Sequence, residues 1–361
     1  MKRREFLKNS FTLSALSVLP FGFRRDPISY SCRQVSTDIT GQNALELSMG
    51  IKTKQFSCYE VMQAYLNRIK KYNPAYNAII SMAGDEILFN HAKEADKALS
   101  KGEYWGWMHG MPHAIKDLAP LKDFTYTSGS PMYANRIADQ DGYITSKIRS
   151  KGAIFIGKTN TPEFGLGSQT YNPVFGPTGN AYNPKLTAGG SSGGAACGLG
   201  TNMLPVADGG DMMGSLRNPG AFNNVIGFRP STNVVMDEGD EINRLLSTSG
   251  PMGRNTKDLI SLLNTIALKP EFNGIQPLDF NNVKIGWLKD LDGYLPFEPG
   301  ILKLCENSLY KLTSARAKVE VTQTKLNPSD LWTCWTTLRH RTRLKMLDFY
   351  ENPTTYNLLK P

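Results

Sequence analysis

The first candidate for chemistry is a glycine-rich stretch that holds two adjacent serines. Residues 187–198 read TAGGSSGGAACG and contain Ser191 and Ser192. A phosphate-binding loop of the Walker type needs a lysine directly after its second glycine, and nothing in this stretch supplies one. The G-x-G-x-x-G pattern of dinucleotide-binding loops is also absent. The stretch is therefore not predicted to bind a nucleotide.

The same stretch matches the G-x-S-x-G nucleophile elbow twice, once around each serine. That elbow follows a buried strand, whereas the preceding NPKLTA contains Pro184 and lacks an apolar run. Its histidine partner comes later in the chain, and the histidine that follows here, His340, is flanked by arginines. We interpret His109 and His113, in HGMPH, as loop or core residues. A Ser–His–Asp hydrolase is therefore disfavoured.

A lysine is another type of base for a serine, because burial or a nearby positive charge lowers the pKa of its ammonium group. Lys116 follows the apolar Ala114 and Ile115 in HAIKDLAP, at the end of a short predicted strand. This position would direct the side chain into the interior. From this stretch alone, a structural lysine paired with Asp117 or another acid is the simpler interpretation.

Alternating helices and strands are predicted to position these residues. Periodic apolar residues predict two helices over Asn43–Asn73 and another over Asp85–Gly102, and strands are predicted at Ala153–Ile156 and in NMLPVAD. Thr159–Asn183 is rich in Asn, Pro, Gly and Thr, which indicates an ordered loop layer. Later helices and strands alternate in KDLISLLNTIAL, VKIGWL, GILKLCENSLYKLTSA and KVEVT. We therefore predict an α/β fold with a mixed sheet covered by helices, in a single domain over residues 32–361.

The net charge of +9 does not predict a nucleic-acid partner. Residues 1–31 carry six basic and two acidic side chains, which gives +4, and the remaining +5 is spread without a basic block. A nucleic-acid-binding surface needs clustered Lys and Arg with interleaved aromatic residues. The nearest approach, LRHRTRLK at residues 338–345, is interpreted as the solvated face of a helix.

The first residues carry the features of an export signal. MKRREFLKNS is followed by an uncharged, mostly apolar run over residues 9–23, which is too short for a comfortable membrane span. Arg3 and Arg4, with the FLK that follows, resemble a twin-arginine signal. We therefore expect residues 1–31 to direct the chain to the export machinery and hence to the periplasm. Left uncleaved, they would anchor it in the membrane.

The five cysteines predict neither a metal site nor a disulfide scaffold. They are odd in number and widely spaced, with no C-x-x-C pair and no His/Cys ligand spacing. Their positions are Cys32, Cys58, Cys197, Cys305 and Cys334. We expect no metal and no cofactor.

Four motifs, taken in order along the chain, resemble the amidase signature family. They are HGMPHAIKD, GKTNTPEF, GGSSGG and GGDMMGSLRNPGAFNNVIGFRPS, and the resemblance extends from about Asn43 to the end of the chain. It implies a large central mixed β-sheet surrounded by helices. It also implies a lysine, cis-serine and serine triad in place of a histidine, carried by Lys116, Ser191 and Ser215.

The resemblance implies an amidase that hydrolyses a carboxylic amide through a serine acyl-enzyme. Neutral Lys116 would accept a proton from Ser191, which accepts one from the attacking Ser215. The relay would then return a proton to the leaving amine. Ser191 is expected to follow a cis peptide bond, in a loop shaped by the flanking glycines and by Ser192.

An oxyanion hole of backbone N–H groups just before the nucleophile is also implied by the resemblance. The groups are those of Met212, Met213, Gly214 and Ser215. The family's usual form has two glycines before the serine, and this chain has Met213 and then Gly214. We therefore expect a narrower or differently shaped acyl pocket. On either side of the nucleophile, Asp211 and Arg217 are expected to form a supporting ion pair.

The end of the chain is a second departure from the family. Members are usually longer, and this chain stops at YNLLKP, so we expect a sheet that is incomplete on its C-terminal side. The leading interpretation is an exported amidase that acts on a small-molecule amide, and association into a homodimer stays open. Two alternatives also stay open, an amidotransferase A-subunit-like protein and a non-catalytic amidase-like protein that binds a ligand.

Overall fold

The computed structural model describes residues 38–236, 241–270 and 278–359, so the predicted export signal lies outside the described residues. The helices are α1 (Ala44–Lys52), α2 (Cys58–Tyr76), α3 (Asp85–Ser100), α4 (Tyr143–Arg149), α5 (Gly193–Gly200), α6 (Arg217–Asn223), α7 (Glu241–Leu246), α8 (Thr256–Ile266), α9 (Ile301–Ser314), α10 (Pro328–Arg343), α11 (Leu347–Glu351) and α12 (Pro353–Tyr356). The strands are β1 (Ile79–Ile80), β2 (Pro112–Lys116), β3 (Ile154–Thr159), β4 (Tyr171–Asn172), β5 (Gly176–Pro177), β6 (Gly179–Asn180), β7 (Asn183–Thr187), β8 (Ala207–Asp211), β9 (Ile226–Gly227), β10 (Thr248–Gly253), β11 (Lys284–Trp287) and β12 (Lys318–Val321).

The two helices predicted at the start of the domain are confirmed as α1 and α2. α2 begins after Ser57, whose Oγ accepts the Glu60 N–H while the Glu60 carboxylate accepts the Ser57 N–H. Val61, Tyr65 and Ile69 lie on its buried face, as the helical spacing predicts. α2 extends three residues beyond the predicted segment and ends at a left-handed asparagine.

Two three-stranded sheets lie at the centre of the fold. In the first, β3 pairs in parallel with β2 and antiparallel with β1, and in the second β10 pairs antiparallel with β8 and β9. The edge strands β2 and β8 contact each other. At this contact the Lys116 N–H donates to the Asp208 carboxylate over 3.3 Å. The predicted mixed sheet covered by helices is confirmed, and a side chain joins its two halves.

Helix α5, which directly follows the two serines, passes through the interior, and seven of its eight residues are buried. Gly194 has no room for a side chain, because an added Cβ would lie 2.3 Å from the Asn160 N and 2.6 Å from the Ala78 O. The helix therefore packs directly on the backbone beside β1 and β3. Ser191 and Ser192 are held at the N-terminal end of a closely packed element.

The loop layer predicted after β3 is confirmed and is ordered by buried amide side chains. Asn160 donates to the Thr178 Oγ1 (3.0 Å) and accepts hydrogen bonds from the Thr161 N–H and the Asn172 Nδ2. Two short antiparallel pairs, β4–β5 and β6–β7, lie within and directly after this segment. The layer forms one wall around the serine loop.

Residues 152–159 read GAIFIGKT and match the phosphate-loop pattern G-x-x-x-x-G-K-[ST]. Here Ile154–Thr159 is the fully buried strand β3 instead of a loop that leads into a helix. Lys158 donates to the Ala119 carbonyl and is buried. The match is therefore structural and does not form a phosphate cradle.

The C-terminal part of the domain contains a parallel pair, β11–β12, with α9 between the two strands in sequence. The strands predicted in VKIGWL and KVEVT are therefore confirmed. α10 ends at Arg343, and His340 and Arg341 in its last turn are exposed, whereas Thr342 is buried and Arg343 is partly buried. LRHRTRLK is therefore only in part the solvated face that the sequence predicts. Within the three described ranges, we find no helix that is both long and apolar enough to cross a membrane.

Candidate active site

The predicted lysine and both serines of the glycine-rich loop meet in the interior. Lys116 is the last residue of β2, and its Nζ lies 2.8 Å from the Ser191 Oγ and 2.8 Å from the Ser192 Oγ. Lys116 and Ser191 are each 3% exposed, and Ser192 is fully buried. Asp117, which could have paired with Lys116, lies 3.8 Å from Lys158 instead. The structural interpretation of Lys116 as a partner of Asp117 is therefore wrong.

Burial lowers the pKa of Lys116 from 10.5 to about 7, while the negative charges of Asp208 and Asp211 oppose this shift. The neutral amine is therefore populated near neutral pH. A neutral amine has a lone pair that can accept a proton, which an ammonium group lacks. The site supplies a base without a histidine.

Ser191 and Ser192 differ in their second hydrogen bond. The Ser192 Oγ lies 3.5 Å from the Gly210 carbonyl, which can accept its proton. The Ser192 oxygen is then an acceptor toward Lys116, which leaves Ser191 as the hydroxyl that can donate to the lysine lone pair. This difference supports Ser191 as the serine that passes the proton.

The serine loop contains a cis peptide bond and is closed by one threonine. The cis bond lies between Gly190 and Ser191, as the resemblance predicted. Thr170 Oγ1 donates to the Gly189 carbonyl (2.8 Å) and accepts the Gly193 N–H (3.1 Å). These two hydrogen bonds hold the loop on both sides of the two serines.

Ser215 lies in the turn between β8 and α6 and is partly exposed. Its carbonyl accepts the Ser192 N–H over 3.2 Å, so the two serine-bearing segments are joined by a backbone hydrogen bond. Among the described residues, the Ser215 Oγ has no hydrogen-bond partner. The structure thus brings Lys116, Ser191 and Ser192 into direct contact and links Ser215 to them through the backbone.

Asp211 organises the turn that carries Ser215. Its buried carboxylate accepts the N–H groups of Gly214 (2.6 Å) and Leu216 (3.2 Å) and forms two 3.0 Å hydrogen bonds with the Arg217 guanidinium. Arg229 approaches the same carboxylate at 3.4 Å. Burial alone would raise the pKa of Asp211, but Arg217 and the backbone donors hold that pKa below its usual value. The carboxylate is therefore ionised and fixes the turn.

The four predicted oxyanion donors are not equivalent in this arrangement. The Gly214 N–H points to Asp211 and is therefore already engaged. Within the described part of the chain, the N–H groups of Met212, Met213 and Ser215 have no hydrogen-bond acceptor. Gly214 has a φ of +118°, which favours glycine, while the Met213 side chain is 59% exposed beside the nucleophile. Three N–H groups thus remain available to an oxyanion.

An aromatic cluster lies next to the serine loop, and the sequence interpretation did not identify it. A Cβ added to Gly165 would lie 3.6 Å from the Ser191 Oγ, so this turn packs directly against the relay serine. The adjoining Phe164 ring packs edge-on against Tyr133 (6.1 Å between ring centroids) and stacks on Phe349 (6.2 Å). The GKTNTPEF motif indicates the turn, but the ring contacts join residues that are distant in sequence and could not be predicted from it.

Trp105 and Trp107 lie away from the serines. Trp105 lines a separate cavity of about 910 Å³, together with residues such as Phe124 and Phe155, and Lys116, Ser191 and Ser215 do not line it. Trp107 donates to the Thr265 Oγ1 over 2.8 Å. No cluster of His, Cys, Asp and Glu that could hold a metal ion occurs among the described residues.

Comparison with known proteins assigns the family. A family model described as Amidase matches residues 60–335. The chain belongs to the amidase family. The glutamyl-tRNA(Gln) amidotransferase A subunit of Coxiella burnetii strain RSA 493 is 37% identical over 223 residues, which are 62% of this chain and 46% of that protein. The second such A subunit of Clostridium acetobutylicum is 31% identical over 298 residues, 78% of this chain and 62% of that protein.

Solved amidase structures share the fold. A crystal structure of an amidase superposes with a TM-score of 0.78 at 27% identity, and covers 89% of this chain and 71% of that one. A bacterial aryl acylamidase of the amidase signature enzymes gives a TM-score of 0.77 at 26% identity, and covers 88% of this chain and 70% of that one. This amidase-family chain spans about half the length of the curated relatives it matches.

Proposed function

We propose that this amidase-family protein hydrolyses a carboxylic amide to a carboxylate and an amine, with Ser215 as the nucleophile. The observation that carries the proposal is the buried contact of 2.8 Å between the Lys116 Nζ and the Ser191 Oγ, with a pKa of Lys116 of about 7. A neutral lysine in contact with a serine is a base that can act near neutral pH.

In the first half of the reaction, the Lys116 lone pair accepts the Ser191 proton while Ser191 accepts the Ser215 proton. The Ser215 Oγ then forms a bond to the amide carbonyl carbon, and the carbonyl electron pair moves onto the oxygen. The N–H groups of Met212, Met213 and Ser215 stabilise that oxyanion. The proton returns from Lys116 through Ser191 to the amide nitrogen as the C–N bond breaks.

In the second half, water attacks the acyl-enzyme ester and the same relay accepts a proton from the water. The Ser215 oxygen leaves as the ester bond breaks and regains a proton through Ser191. The products are a carboxylic acid, which ionises, and the regenerated serine.

A fluorophosphonate probe tests the nucleophile. We expect wild-type protein to be labelled at Ser215, as located by peptide mass spectrometry, and Ser215→Ala to lose the label. Ser308→Ala is the matched control, because Ser308 is an exposed residue of α9, and this variant should be labelled like wild type. Labelling of folded Ser215→Ala at another serine would overturn the assignment.

Turnover is tested with a panel of aryl, fatty and short-chain amides and the full-length protein. Product carboxylate is measured for wild type and for Ser215→Ala. Activity that is equal in the two proteins would overturn the proposal. Absence of both labelling and turnover in folded wild-type protein would instead favour the non-catalytic, ligand-binding alternative.

A second candidate function is that of an amidotransferase A subunit, because the relatives named above are glutamyl-tRNA(Gln) amidotransferase A subunits. Such a protein would release ammonia from an amide such as glutamine and would require partner subunits. Ammonia release from glutamine that exceeds release from every other amide tested would favour it. Preference for a simple amide in the isolated chain would favour the free-standing amidase.

We also propose that residues 1–31 direct export by the twin-arginine route. The supporting observation is the MKRREFLK sequence with its following apolar run. Replacing Arg3 and Arg4 together by lysine should keep the charge and abolish accumulation in the periplasm. Unchanged fractionation of the double variant would contradict export by this route.

A further inference from the structure

A buried histidine and a buried aspartate lie directly behind the lysine base. The His113 Nε2 is 3.2 Å from the Asp208 Oδ1, and the Asp208 Oδ2 accepts the backbone N–H of Lys116 over 3.3 Å. Both side chains are almost completely buried, at 0% and 2% exposure. This pair takes no part in the relay described above.

The carboxylate of Asp208 joins the edge strands of the two sheets. Lys116 ends the edge strand β2, and Asp208 lies in the edge strand β8, which contacts β2. A backbone N–H at such an edge needs an acceptor, because a buried, unpaired N–H is costly. Here a side chain on β8 supplies the acceptor and fixes the backbone from which the Lys116 side chain extends.

His113 fixes the other carboxylate oxygen. Its ring packs edge-on against Phe155, with 5.7 Å between ring centroids, and its Nδ1 is buried without a hydrogen-bond partner in the described structure. The single polar contact of the ring is therefore the one with Asp208. Such a contact restricts the carboxylate to one orientation.

Titratable side chains lie around Asp208 on three strands. They are His113 and Lys116 on β2, Lys158 on β3, and Asp211 three residues further along β8. Helix α5 and strand β10, which also pack against β8, contain no charged residue. Lys158 contacts Asp117 and the Ala119 carbonyl, so Lys116 is the cation of this set that touches the serines.

We propose that His113 and Asp208 are positioning residues that hold Lys116 in register with Ser191, and that the Asp208 carboxylate places a negative charge beside the lysine. The inference rests on the proposed function, because it assigns Lys116 as the base. One oxygen of Asp208 accepts the backbone N–H of Lys116, and the other contacts His113, which orients the carboxylate. Without this charge, burial alone would leave the lysine neutral over a wider range of pH.

The test is the pH dependence of fluorophosphonate labelling at Ser215, which needs no knowledge of the natural substrate. Asp208→Asn removes the charge but keeps an oxygen for the Lys116 N–H, and its NH₂ group can donate to the His113 Nε2 in the other imidazole tautomer. The acidic limb of the labelling rate should shift by about one pH unit toward lower pH. His113→Phe, which removes the contact that orients the Asp208 carboxylate beside Lys116, should shift the limb in the same direction.

Rescue by a conservative variant separates positioning from packing. His113→Gln restores an N–H donor without an imidazole, so its limb should return to within about 0.2 unit of the wild-type limb. Glu94→Gln, an exposed change on α3, should leave the limb in place. A limb that stays fixed in folded Asp208→Asn would overturn the proposal. If Asp208→Asn does not fold, an acidic limb at the same pH in His113→Phe and in wild type would overturn the proposal.

Failure of the proposed function gives a different result. If Ser215 is not the nucleophile, wild-type protein shows no labelling at Ser215 at any pH, and no limb exists to shift. If the relay is correct and only the pair is misassigned, wild type shows a limb near pH 7 that the variants do not move.

Discussion

The base and the nucleophile of the proposed relay are held in different ways. Lys116, Ser191 and Ser192 lie in the interior at the ends of a buried strand and a buried helix, and their polar atoms contact one another. Ser215 lies in a partly exposed turn that is fixed by the carboxylate of Asp211. The base needs exclusion from water to lose its proton near neutral pH, whereas the nucleophile needs access to a substrate.

This contrast explains why a partly exposed ion pair fixes the turn of the nucleophile. Arg217 is 57% exposed, and it contacts Asp211 from the solvent side of the turn. A turn that faces a substrate cannot be immobilised by burial in a hydrophobic core. One ionised carboxylate that accepts several backbone N–H groups gives rigidity without covering the serine.

The largest effect should come from removing the base. Lys116→Ala is expected to lower kcat/KM on a productive amide by about 10²- to 10⁴-fold, because the relay loses its proton acceptor. Lys122→Ala, which changes an exposed lysine, is the matched control and should retain wild-type turnover. Steady-state kinetics at pH 8 measures both, with circular dichroism to verify folding. A loss of less than tenfold would show that Lys116 is not the base.

The desolvated base also predicts how activity depends on pH. The relay needs neutral Lys116 with a pKa of about 7, so kcat/KM should fall as the pH is lowered through 7. Two units below that value, only about 1% of the lysine is neutral, which gives a loss of about 100-fold.

Measurement of kcat/KM between pH 5 and 9 tests this prediction. Protein held at pH 5 and returned to pH 8 should recover its activity, which distinguishes titration from unfolding. A profile that stays flat down to pH 5 in reversibly folded protein would contradict a lysine base.

Removal of the Asp211 carboxylate should displace the turn that carries the nucleophile. Asp211→Ala leaves the N–H groups of Gly214 and Leu216 without their acceptor, and it should lower kcat by about 10- to 100-fold because Ser215 is displaced. The free energy of unfolding should fall by about 2 kcal/mol, as measured by urea titration.

Arg217→Ala is the matched comparison on the same turn. Its guanidinium is largely exposed, so its loss should cost less than about 1 kcal/mol and affect kcat less than Asp211→Ala. Equal effects of the two substitutions would show that the ion pair, and not the backbone contacts of Asp211, holds the turn.

Sequence reasoning predicted the buried side of the site better than the turn. HAIKDLAP placed Lys116 at a strand end by its apolar neighbours, and GGSSGG marked the loop. From the stretch alone, however, Lys116 was interpreted as a partner of Asp117, and only the family resemblance assigned it as the base. The contact between Asp208 and His113 joins residues 95 positions apart, and no local pattern indicates it. The Gly214 N–H was predicted as an oxyanion donor, and its use by Asp211 depends on the turn geometry that only the structure shows.

The smallest effect should come from Met213, which distinguishes this turn from the family's usual pair of glycines. Its side chain is 59% exposed beside Ser215, so it can contact the acyl group of a substrate without supporting the fold. Met213→Gly should raise kcat/KM for amides with bulky acyl groups by about 3- to 10-fold relative to acetamides, because space becomes available at the acyl site. Met213→Ala separates volume from backbone flexibility, since alanine removes most of the side chain without the added freedom of glycine. If volume decides, the alanine variant shows most of the change in preference. An unchanged ratio of bulky to small substrates in both variants would place the Met213 side chain outside the acyl pocket.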